Sequence, residues 1–496
     1  MKSIREILDQ SVSGGAISSQ NITGSILRAH TISPYACYCE YHVDPRAKDA
    51  PTNFGNLLQT WGIELEHRYV DSKDQAARKQ CFSYDPAGFE TFVNAAANSQ
   101  KYIYNPPLFW LKDNLAGKPD LLVRGDTAPS NFGRHHYRVV EIKFSSRFAE
   151  KNKRHYLIQA LLYNHMLGLI QGYLPPLFTM VNRHGEESIF EYTQYEEELK
   201  QALREVEEIR VGTVKPDPVY GTCADAHWAK YCDAQAKAKK DISLVPYLKD
   251  QRIRSQMVAT GIRTIDDLSK LSVDELSKFK WVGKRSELIF KQTKCLLTGK
   301  EFVCDKLVLP AYDGPEVYLD VEDTGSVHPR IPHFVFLIGM VVRRPGEAAK
   351  YHSLVIDSEK AIPAKTREFL AFLDTLGDYQ GYFWSKKELV EFAKIFDTYG
   401  ISGSSVDRFL SRCCDLKDVF EGKVFFPVHG QSVKEIAKCL GYSWRELGVD
   451  AMEGMVLTYD YLENGNQQSL KKVQTYNEDD CLGMLTIRDW LAKNTS

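Results

Sequence analysis

The sequence predicts an α/β protein with more than one domain. Its 496 residues are 43% hydrophobic, which is enough apolar material for more than one core. Helical and strand-like patterns are mixed from about residue 25 to 235 and again from Glu316 onward, whereas strand-like patterns are missing between them. We therefore predict two α/β domains, at residues 1–235 and 305–496, joined by a small helical domain at residues 236–304.

The composition excludes several classes of protein. Lys and Arg number 63 against 65 Asp and Glu, so any basic surface for nucleic acid must be local. The first residues, MKSIREILDQSVSGG, lack a long apolar core, and no run of about 18 uncharged apolar residues occurs. The 11 cysteines have no regular spacing of the kind that a secreted disulfide framework shows. We expect a cytoplasmic protein with no membrane partner.

The first candidate site lies on a predicted hairpin formed by DLLVR and YRVVEIKF, which the polar segment 125–134 separates. A long helical pattern, HYLIQALLYNHMLGLI, follows. Asp120 lies at the edge of the first strand, and Glu141 follows 21 positions later with Lys143 two residues on. Alternate side chains of a strand share a face, so the two carboxylates and the ammonium are expected to meet. Carboxylate oxygens suit Mg²⁺ or Mn²⁺, and a fixed lysine can neutralise charge on a phosphate.

These motifs resemble the PD-(D/E)XK nucleases, and within them the RecB-like group. The likeness covers roughly residues 25–235 and includes a Gly–x–x–x–Glu motif at Gly62 and Glu66. A Gln–x–x–x–Tyr motif follows at Gln159 and Tyr163. The resemblance implies a restriction-endonuclease-like domain with a mixed sheet.

The same resemblance implies a metal site and further catalytic residues. The metal ligands would be Glu66, Asp120 and Glu141, with Lys143, Gln159 and Tyr163 completing the catalytic set. Many relatives carry a histidine where this chain has Leu65, so the predicted ligand set depends on Glu66. Taken singly, Asp120 also fits a turn or a cap, and Glu141 with Lys143 also fits a solvated pair at a strand edge. The combination of motifs favours the catalytic interpretation.

Relatives of this group often hold a four-iron, four-sulfur cluster with one early cysteine and three late ones, spaced C-x2-C-x5-C around a tryptophan. The cysteines of this chain that match are Cys39, Cys223 and Cys232. Trp228 is present, but Ala226 stands at the fourth position, with Cys37 and His227 as candidate replacements. Two interpretations stay open, namely a retained iron–sulfur cluster and a degenerate site of ordinary buried cysteines.

The middle segment resembles a helix-hairpin-helix unit in GIRTIDDLSKLSVDEL and WVGKRSELI. In such a unit, a turn at Gly283 would present backbone N–H groups to a phosphate, with Lys284 and Arg285 adding charge. Trp281 stands where the usual second glycine would be. A plain helical linker remains an equal alternative.

The second candidate site combines a strand and a distant helix. EVYLDVEDTG places Asp320 and Glu322 at alternate positions of an apolar strand, so both carboxylates share a face. In TYNEDDCLGMLTIRDWL, Tyr476 and Asp480 are four positions apart on one helical face. An alternative for Asp480 is a solvated charge pair with Asp479 on a surface helix.

The Asp–x–Glu and Tyr–x–x–x–Asp pair resembles the first and last motifs of the DEDD exonucleases, which have an RNase H-like fold. Within them, the closer likeness is to a predicted-exonuclease branch found beside RecB-like domains. Glu388 matches a helical acid of that branch and Asp415 a strand-end acid. The resemblance implies an RNase H-like α/β domain in which Asp320, Glu322 and Asp480 hold two Mg²⁺ or Mn²⁺ ions about 4 Å apart. Tyr476 would orient the attacking water.

Together these patterns predict a metal-dependent DNA nuclease with two active sites, exonucleolytic in at least one, that acts on ends or single strands. Relatives work in repair, recombination or defence beside a helicase, and this chain has no Gly-rich Walker loop of its own. Two other functions stay open. One is a protein that binds DNA ends or junctions with one or both sites idle, and the other is an RNA-processing nuclease.

Overall fold

The computed structural model describes residues 2–148, 154–310 and 312–494. The chain divides into two compact units. Unit 1 contains residues 1–51 and 55–239, and unit 2 contains residues 52–54 and 240–496. The predicted helical segment therefore belongs to the same unit as the C-terminal α/β region, and its status as a separate domain stays a prediction. None of the described helices has the length and apolar character needed to cross a membrane.

Unit 1 is a mixed α/β structure. Its helices are α1 (Ile4–Val12), α2 (Gly24–Ile32), α3 (Pro34–His42), α4 (Asn53–Lys73, of which Asn53 and Phe54 belong to unit 2), α5 (Gln75–Arg78), α6 (Pro86–Ala97), α7 (Arg154–Gln171), α8 (Glu196–Arg210) and α9 (Ala229–Ala238). Its strands are β1 (Tyr102–Tyr104), β2 (Leu108–Trp110), β3 (Leu115–Gly117), β4 (Leu121–Gly125), β5 (His136–Ile142), β6 (Leu177–Val181) and β7 (Glu187–Glu191).

The main sheet of unit 1 has the order β1-β4-β5-β6-β7. The predicted hairpin is confirmed, because β4 and β5 pair antiparallel with Leu122 opposite Val139. β5 and β6 pair in parallel, and the chain between them contains α7, as a parallel crossover requires. The predicted helix is likewise confirmed as α7, and it is buried on nearly every side because α2 and the sheet both pack against it.

Unit 2 begins with short helices and continues into a second sheet. Its helices are α10 (Gln251–Ala259), α11 (Ile265–Leu268), α12 (Val273–Ser277), α13 (Ser286–Thr298), α14 (Ile362–Asp374), α15 (Lys387–Tyr399), α16 (Ser404–Arg412), α17 (Leu416–Phe420), α18 (Val433–Cys439), α19 (Ala451–Asn464) and α20 (Gln467–Lys493). Its strands are β8 (Phe302–Val303), β9 (Glu316–Asp323), β10 (Val335–Arg343), β11 (Lys350–Val355), β12 (Gln380–Phe383), β13 (Cys413–Asp415) and β14 (Val424–Phe425).

The first helices of unit 2 have strong start signals in the sequence. Thr264 and Ser272 each form a reciprocal capping box, with Asp267 and Glu275 respectively. The prediction that residues 236–304 contain no strand holds for most of the segment. β8 nevertheless forms at its end, because Phe302 and Val303 pair with β14 and gain a partner that the local sequence does not reveal.

The large sheet of unit 2 has the order β11-β10-β9-β12-β13. β9, β10 and β11 pair antiparallel, whereas β12 is parallel to both β9 and β13. The predicted strand at EVYLDVEDTG is confirmed as β9. α20 packs across β9 and β10 and begins at Gln467, before the predicted helical segment TYNEDDCLGMLTIRDWL. This packing brings the end of β9 and the middle of α20 to one place.

Candidate metal centre

Three carboxylates come together in unit 2. β9 carries Asp320 and Glu322 at alternate positions, and α20 carries Asp480. One oxygen of each carboxylate lies within 4.8 Å of the others. All three side chains are partly exposed. Among the residues that the structure describes, no other group of three His, Cys, Asp or Glu side chains is as close.

The electrostatics of this cluster disfavour three negative charges without a counterion. Burial, followed by the charge of Asp480, raises the pKa of Glu322 to about 8. Burial also raises the pKa of Asp480 to about 6, although a hydrogen bond from Trp444 opposes the rise. The pKa of Asp320 is raised by burial and then by Glu322. Like charges in a poorly solvated place attract protons or a cation.

Asn477 holds two of the acids, and the sequence patterns did not point to it. Its side-chain amide donates to Asp320 Oδ2 at 2.8 Å and to Glu322 Oε1 at 3.5 Å. Its own carbonyl oxygen accepts from the Tyr351 hydroxyl at 2.9 Å. Gly339 faces Asp320 in the β9–β10 ladder, and a Cβ there would lie 1.5 Å from Asn477 Oδ1. Because Gly339 has no side chain, there is room for the Asn477 amide beside Asp320.

The segment after α18 fixes Asp480. Trp444 Nε1 donates to Asp480 Oδ1 at 2.9 Å. The preceding acid, Asp479, is fully buried and accepts from the Arg445 backbone N–H at 2.7 Å and from the Tyr442 hydroxyl at 2.8 Å. The alternative of a solvated Asp479–Asp480 pair is therefore wrong, because Asp479 anchors this segment against α20.

Tyr476 and a lysine lie beside Asp480. The Tyr476 hydroxyl donates to the Asp480 carboxylate. The ammonium of Lys434 lies 5.3 Å from the centre of the Tyr476 ring and donates to the Val449 carbonyl at 2.9 Å. Burial, and then the charge of Lys438, lowers the pKa of Lys434. Tyr476 thus lies beside Asp480, as the helical spacing predicted. Lys434 is a neighbouring cation that the sequence patterns did not single out.

Glu388 and Asp415 lie near the cluster but are not part of the close group. Glu388 is 5% exposed, and its Oε2 has no hydrogen-bond partner among the described residues. Burial raises the pKa of Glu388 to about 7, and its charge acts on Asp320. Asp415 ends β13 as predicted, but its Oδ1 accepts from the backbone N–H groups of Ser385 and Lys417 at 3.0 and 2.9 Å. Asp415 therefore caps α17.

Lys387 is a second cation that the sequence patterns did not single out. Its ammonium lies 2.8 Å from Asp323 Oδ2. Burial opposes its charge, but the bond to Asp323 and the charges of Asp320 and Glu322 outweigh that effect and raise its pKa. The available signal was the adjacent KKE, which places a cation next to Glu388.

The donor set of unit 2 fits a divalent cation. It offers three carboxylate oxygens at close range, and hard oxygen donors are what Mg²⁺ and Mn²⁺ prefer. The hydrogen bonds to Asp320 and Asp480 come from neutral amide and indole groups, so they orient the carboxylates without cancelling their charge. Asp320, Glu322 and Asp480 are the residues that would hold the metal.

The acids of unit 1 meet around a lysine. Lys143 Nζ lies 2.6 Å from Glu141 Oε2 and 3.0 Å from Asp120 Oδ2. The backbone N–H of Asp120 donates to Glu141 Oε1 at 3.0 Å, and that of Ile142 donates to Asp120 Oδ2 at 2.7 Å. The Glu141 side chain is fully buried, so a solvated pair at a strand edge is the wrong description of Glu141 and Lys143.

Burial and then Asp120 raise the pKa of Glu141 to about 8. Burial opposes the charge of Lys143, but Asp120 and Glu141 outweigh it and raise the pKa of Lys143. The lysine therefore stays charged. Glu66 on α4 belongs to the same neighbourhood, because burial and then the charge of Asp120 raise its pKa. Asn105 donates to Glu66 Oε1 at 3.0 Å.

The remaining motif residues of unit 1 lie on α4 and α7. Tyr163 is buried close to Glu141 and Lys143. Burial raises the pKa of its hydroxyl, and the nearby charge of Glu141 raises it further. Gln159 lies one turn earlier on α7 and is 9% exposed. Leu65 is buried in an apolar cluster with residues of α4 and the sheet, so it offers no metal ligand. A Cβ added to Gly62 would meet only Phe144, at 3.9 Å, so packing does not require a glycine there.

The three predicted cluster cysteines also meet. Cys39, Cys223 and Cys232 are buried in one apolar group with Trp228, and the Cys232 thiol is in hydrogen-bonding contact with both other thiols. Ala226 packs in the same group, whereas Cys37 belongs to a different apolar core. The donor set therefore has three thiols and no fourth among the described residues, which does not fit a four-thiolate iron–sulfur cluster. Ordinary buried cysteines are the interpretation that this geometry supports.

A comparison with protein families identifies the C-terminal region. A model of the RNase_H superfamily matches residues 317–492. The match begins in β9 and ends in α20, so it contains all three clustered acids. No curated protein matches the chain. The family match and the acidic cluster together suggest a metal-dependent hydrolase of nucleic acid. The chain therefore carries an RNase H-like domain at residues 317–492, with a candidate metal centre formed by Asp320, Glu322 and Asp480.

Proposed function

We propose that this chain is a metal-dependent DNA nuclease and that Asp320, Glu322 and Asp480 form its C-terminal active site. The single observation that carries the proposal is the close approach of three carboxylates that no cation of the described residues neutralises directly. A divalent cation held there supplies positive charge to the transition state of phosphodiester hydrolysis and activates water. Orienting the carboxylates, holding the water and accepting a proton are the tasks of side chains around the metal.

The surrounding residues divide the remaining work. Asn477 and Trp444 orient the carboxylates, and Tyr476 is placed through Asp480 to hold a water by its hydroxyl. Glu388, with a pKa of about 7 and a free oxygen, is suited to accept a proton at neutral pH. Lys387 brings positive charge to the side where the phosphate would approach, as an exposed cation beside the acids.

Unit 1 is proposed as a second, independent nuclease centre of the RecB-like type. The contact of Lys143 with both Asp120 and Glu141 supports it, because a buried acid pair with one lysine is the arrangement that the sequence motif predicts. Glu66, Asp120 and Glu141 would hold Mg²⁺ or Mn²⁺, Lys143 would face the phosphate, and Gln159 and Tyr163 would complete the site. Exonucleolytic action on DNA ends or single strands, in repair, recombination or defence beside a helicase, is part of the same proposal.

The test compares the parent protein with three variants, Asp120→Ala, Asp320→Ala with Asp480→Ala, and all three changes together. End-labelled single- and double-stranded DNA and matched RNA are incubated with Mg²⁺ or Mn²⁺. We expect Asp120→Ala to leave the activity of unit 2, the double variant to leave that of unit 1, and the triple variant to be inactive. Loss of metal ligands should lower each rate by about 10³-fold or more.

Glu478→Ala is the matched control, since it removes an acid of α20 that pairs with Arg445 and lies outside the cluster. It should cut as the parent does. If the double variant and the parent give the same products on every substrate, the C-terminal acids are structural and the domain is a binding module. Faster cleavage of RNA than of DNA would instead establish the RNA-processing alternative.

A further inference from the structure

Unit 2 exposes the aromatic side chain of Trp281 among several cations, in a segment that precedes the clustered acids Asp320, Glu322 and Asp480. We define the Trp281 surface by Trp281, Lys280, Arg252, Lys284 and Arg285, which lie at the start of α10 and in the turn between α12 and α13. We propose that the Trp281 surface binds single-stranded nucleic acid, with one base stacked on the indole ring and the surrounding cations paired with phosphates.

The conformation of Trp281 is the first observation. The residue is 46% exposed, and its backbone φ is +68°. A bulky residue in this left-handed region costs about 1 kcal/mol or more, and exposure of an indole forgoes the benefit of burial. The turn at Val282, which is buried, and Gly283 therefore holds Trp281 outward at a cost in stability. Strained backbone of this kind is concentrated at functional sites.

The charge around the ring is the second observation. The Arg252 guanidinium carbon lies 4.9 Å from the centre of the ring, and Lys280 Nζ lies 4.6 Å from it. Lys284 and Arg285 are exposed in the same turn. The run KFKWVGKR at 278–285 contains four cations and no acid, although the whole chain has a net charge of −2. Asp250 contacts this surface, because Arg252 pairs with it at 2.7 Å.

The combination of an exposed ring and adjacent cations selects the ligand. Bases of a single strand can leave their stack and lie on an aromatic side chain, whereas bases of a duplex are covered on both faces. Stacking accepts any base, and cations next to the ring track the backbone phosphates. A base on the indole would take the place of the Lys280 ammonium, which would then be available to a phosphate.

The helices that carry this surface are packed on the RNase H-like domain. Gln292 of α13 donates to the Phe426 carbonyl at 2.8 Å, and Gln431 donates to the Tyr247 hydroxyl at 2.7 Å. The segment 426–431 leads directly into α18, whose Lys434 lies beside Tyr476. A strand held at the Trp281 surface is thus bound to the same compact unit as the acids.

The inference rests on the proposed function in one respect, that nucleic acid is the substrate. The experiment uses the full chain in EDTA, so that binding is measured without cleavage, and follows the fluorescence anisotropy of a labelled oligothymidylate and of a labelled blunt duplex. The decisive variant is Trp281→Gly, because glycine accepts the positive φ and the turn is not strained by the change. We expect single-strand binding to weaken about 10-fold and duplex binding to be unchanged.

Three controls complete the design. Trp281→Phe keeps a ring and should retain most of the affinity. Lys280→Ala should lower the salt dependence of single-strand binding by about 0.7 in the log–log slope. Val308→Ala removes an exposed apolar side chain elsewhere in unit 2 and should change nothing. The thermal unfolding midpoint of Trp281→Gly should equal or exceed that of the parent, which separates lost stacking from lost folding.

Two outcomes would overturn the inference. One is equal single-strand affinity of Trp281→Gly and the parent. The other is an equal loss for single strand and duplex, which would mean that the indole does not stack on an unpaired base. The parent is also tested for cleavage with Mn²⁺. If the parent does not cleave but its single-strand binding depends on Trp281, the proposed function is refuted and the inference stands. If the parent cleaves but its binding does not depend on Trp281, the proposed function stands and the inference is refuted.

Discussion

The acidic sites of the two units differ in what balances their negative charge. In unit 1, Lys143 contacts both Asp120 and Glu141, so a cation of the chain is part of the site. In unit 2, Asp320 and Asp480 receive hydrogen bonds from neutral groups, and Lys387 forms its ion pair with Asp323 instead. The first site is partly neutralised by its own fold. The second keeps three acids together at the expense of raised pKa values.

This difference separates two ways of building a metal site. Where a lysine is built in, its removal should affect both folding and function, because a buried carboxylate loses its partner. Where the acids face each other, a bound cation should stabilise the fold, because it relieves their repulsion. Variants at each site test this distinction.

The first prediction concerns the built-in lysine. In a background with Asp320→Ala and Asp480→Ala, Lys143→Ala should lower the remaining nuclease rate about 10²-fold or more and the free energy of unfolding by about 3 kcal/mol. The cause is that fully buried Glu141 loses its cation. Urea unfolding and cleavage of labelled DNA measure the two effects.

Lys387→Ala provides the comparison from unit 2. Its side chain is 56% exposed and pairs at the surface, so the free energy of unfolding should change by no more than about 1 kcal/mol. Lys79→Ala, an exposed lysine of unit 1, serves as the neutral control. Equal losses of stability in Lys143→Ala and Lys387→Ala would remove the distinction between the two sites.

The second prediction concerns Asn477, which orients the acids of unit 2. Asn477→Ala should weaken Mn²⁺ binding about 10- to 100-fold, as loss of a group that positions metal ligands does. It should also lower the free energy of unfolding by about 1–3 kcal/mol, because the Tyr351 hydroxyl loses its acceptor. Titration calorimetry with Mn²⁺ gives the affinity, and Asn464→Ala on the exposed end of α19 is the control. Unchanged affinity would show that the acids need no positioning by α20.

The third prediction is a pH dependence with a defined sign. The pKa of Glu322 rises from 4.5 to about 8 on folding, so the folded chain binds more protons than the unfolded chain between these values. Stability without metal should therefore fall as pH rises through this window, by about 3 °C or more in the unfolding midpoint. With Mn²⁺, which requires deprotonated acids, the stabilisation should grow with pH.

Thermal unfolding in EDTA and in Mn²⁺ at several pH values measures this effect. Glu322→Gln should reduce the pH dependence that EDTA reveals, and the part due to Glu141 and Glu388, whose pKa values are also raised, should remain. A midpoint that rises with pH in EDTA would mean that the acids are solvated and do not repel each other.

The fourth and smallest effect concerns the thiol group of unit 1. Because Cys39, Cys223 and Cys232 lack a fourth thiolate, protein purified without oxygen should contain essentially no iron. Cys232→Ala should leave nuclease activity unchanged. Iron counting and the visible absorption spectrum test this, with Cys81→Ala, an exposed cysteine, as the control. About four irons per chain would instead show that unit 1 retains an iron–sulfur cluster with a ligand other than cysteine.

The sequence alone determined which residues share a face. The period of two in a strand places Asp320 with Glu322, and the helical period places Tyr476 with Asp480, because both periods are set by local backbone geometry. The hairpin and α7 followed from the same local rules. These predictions needed no knowledge of what packs against each element.

The packing of distant segments determines what surrounds those residues. Asn477 reaches the acids because Gly339, 138 positions earlier, leaves room for it. Asp479 is an internal anchor, although next to Asp480 in sequence it looked like a solvated charge. Trp281 is exposed in a left-handed turn, which its sequence neighbours did not indicate. Such features depend on contacts between distant segments, and local periodicity carries no information about the partner that fills the space beside a side chain.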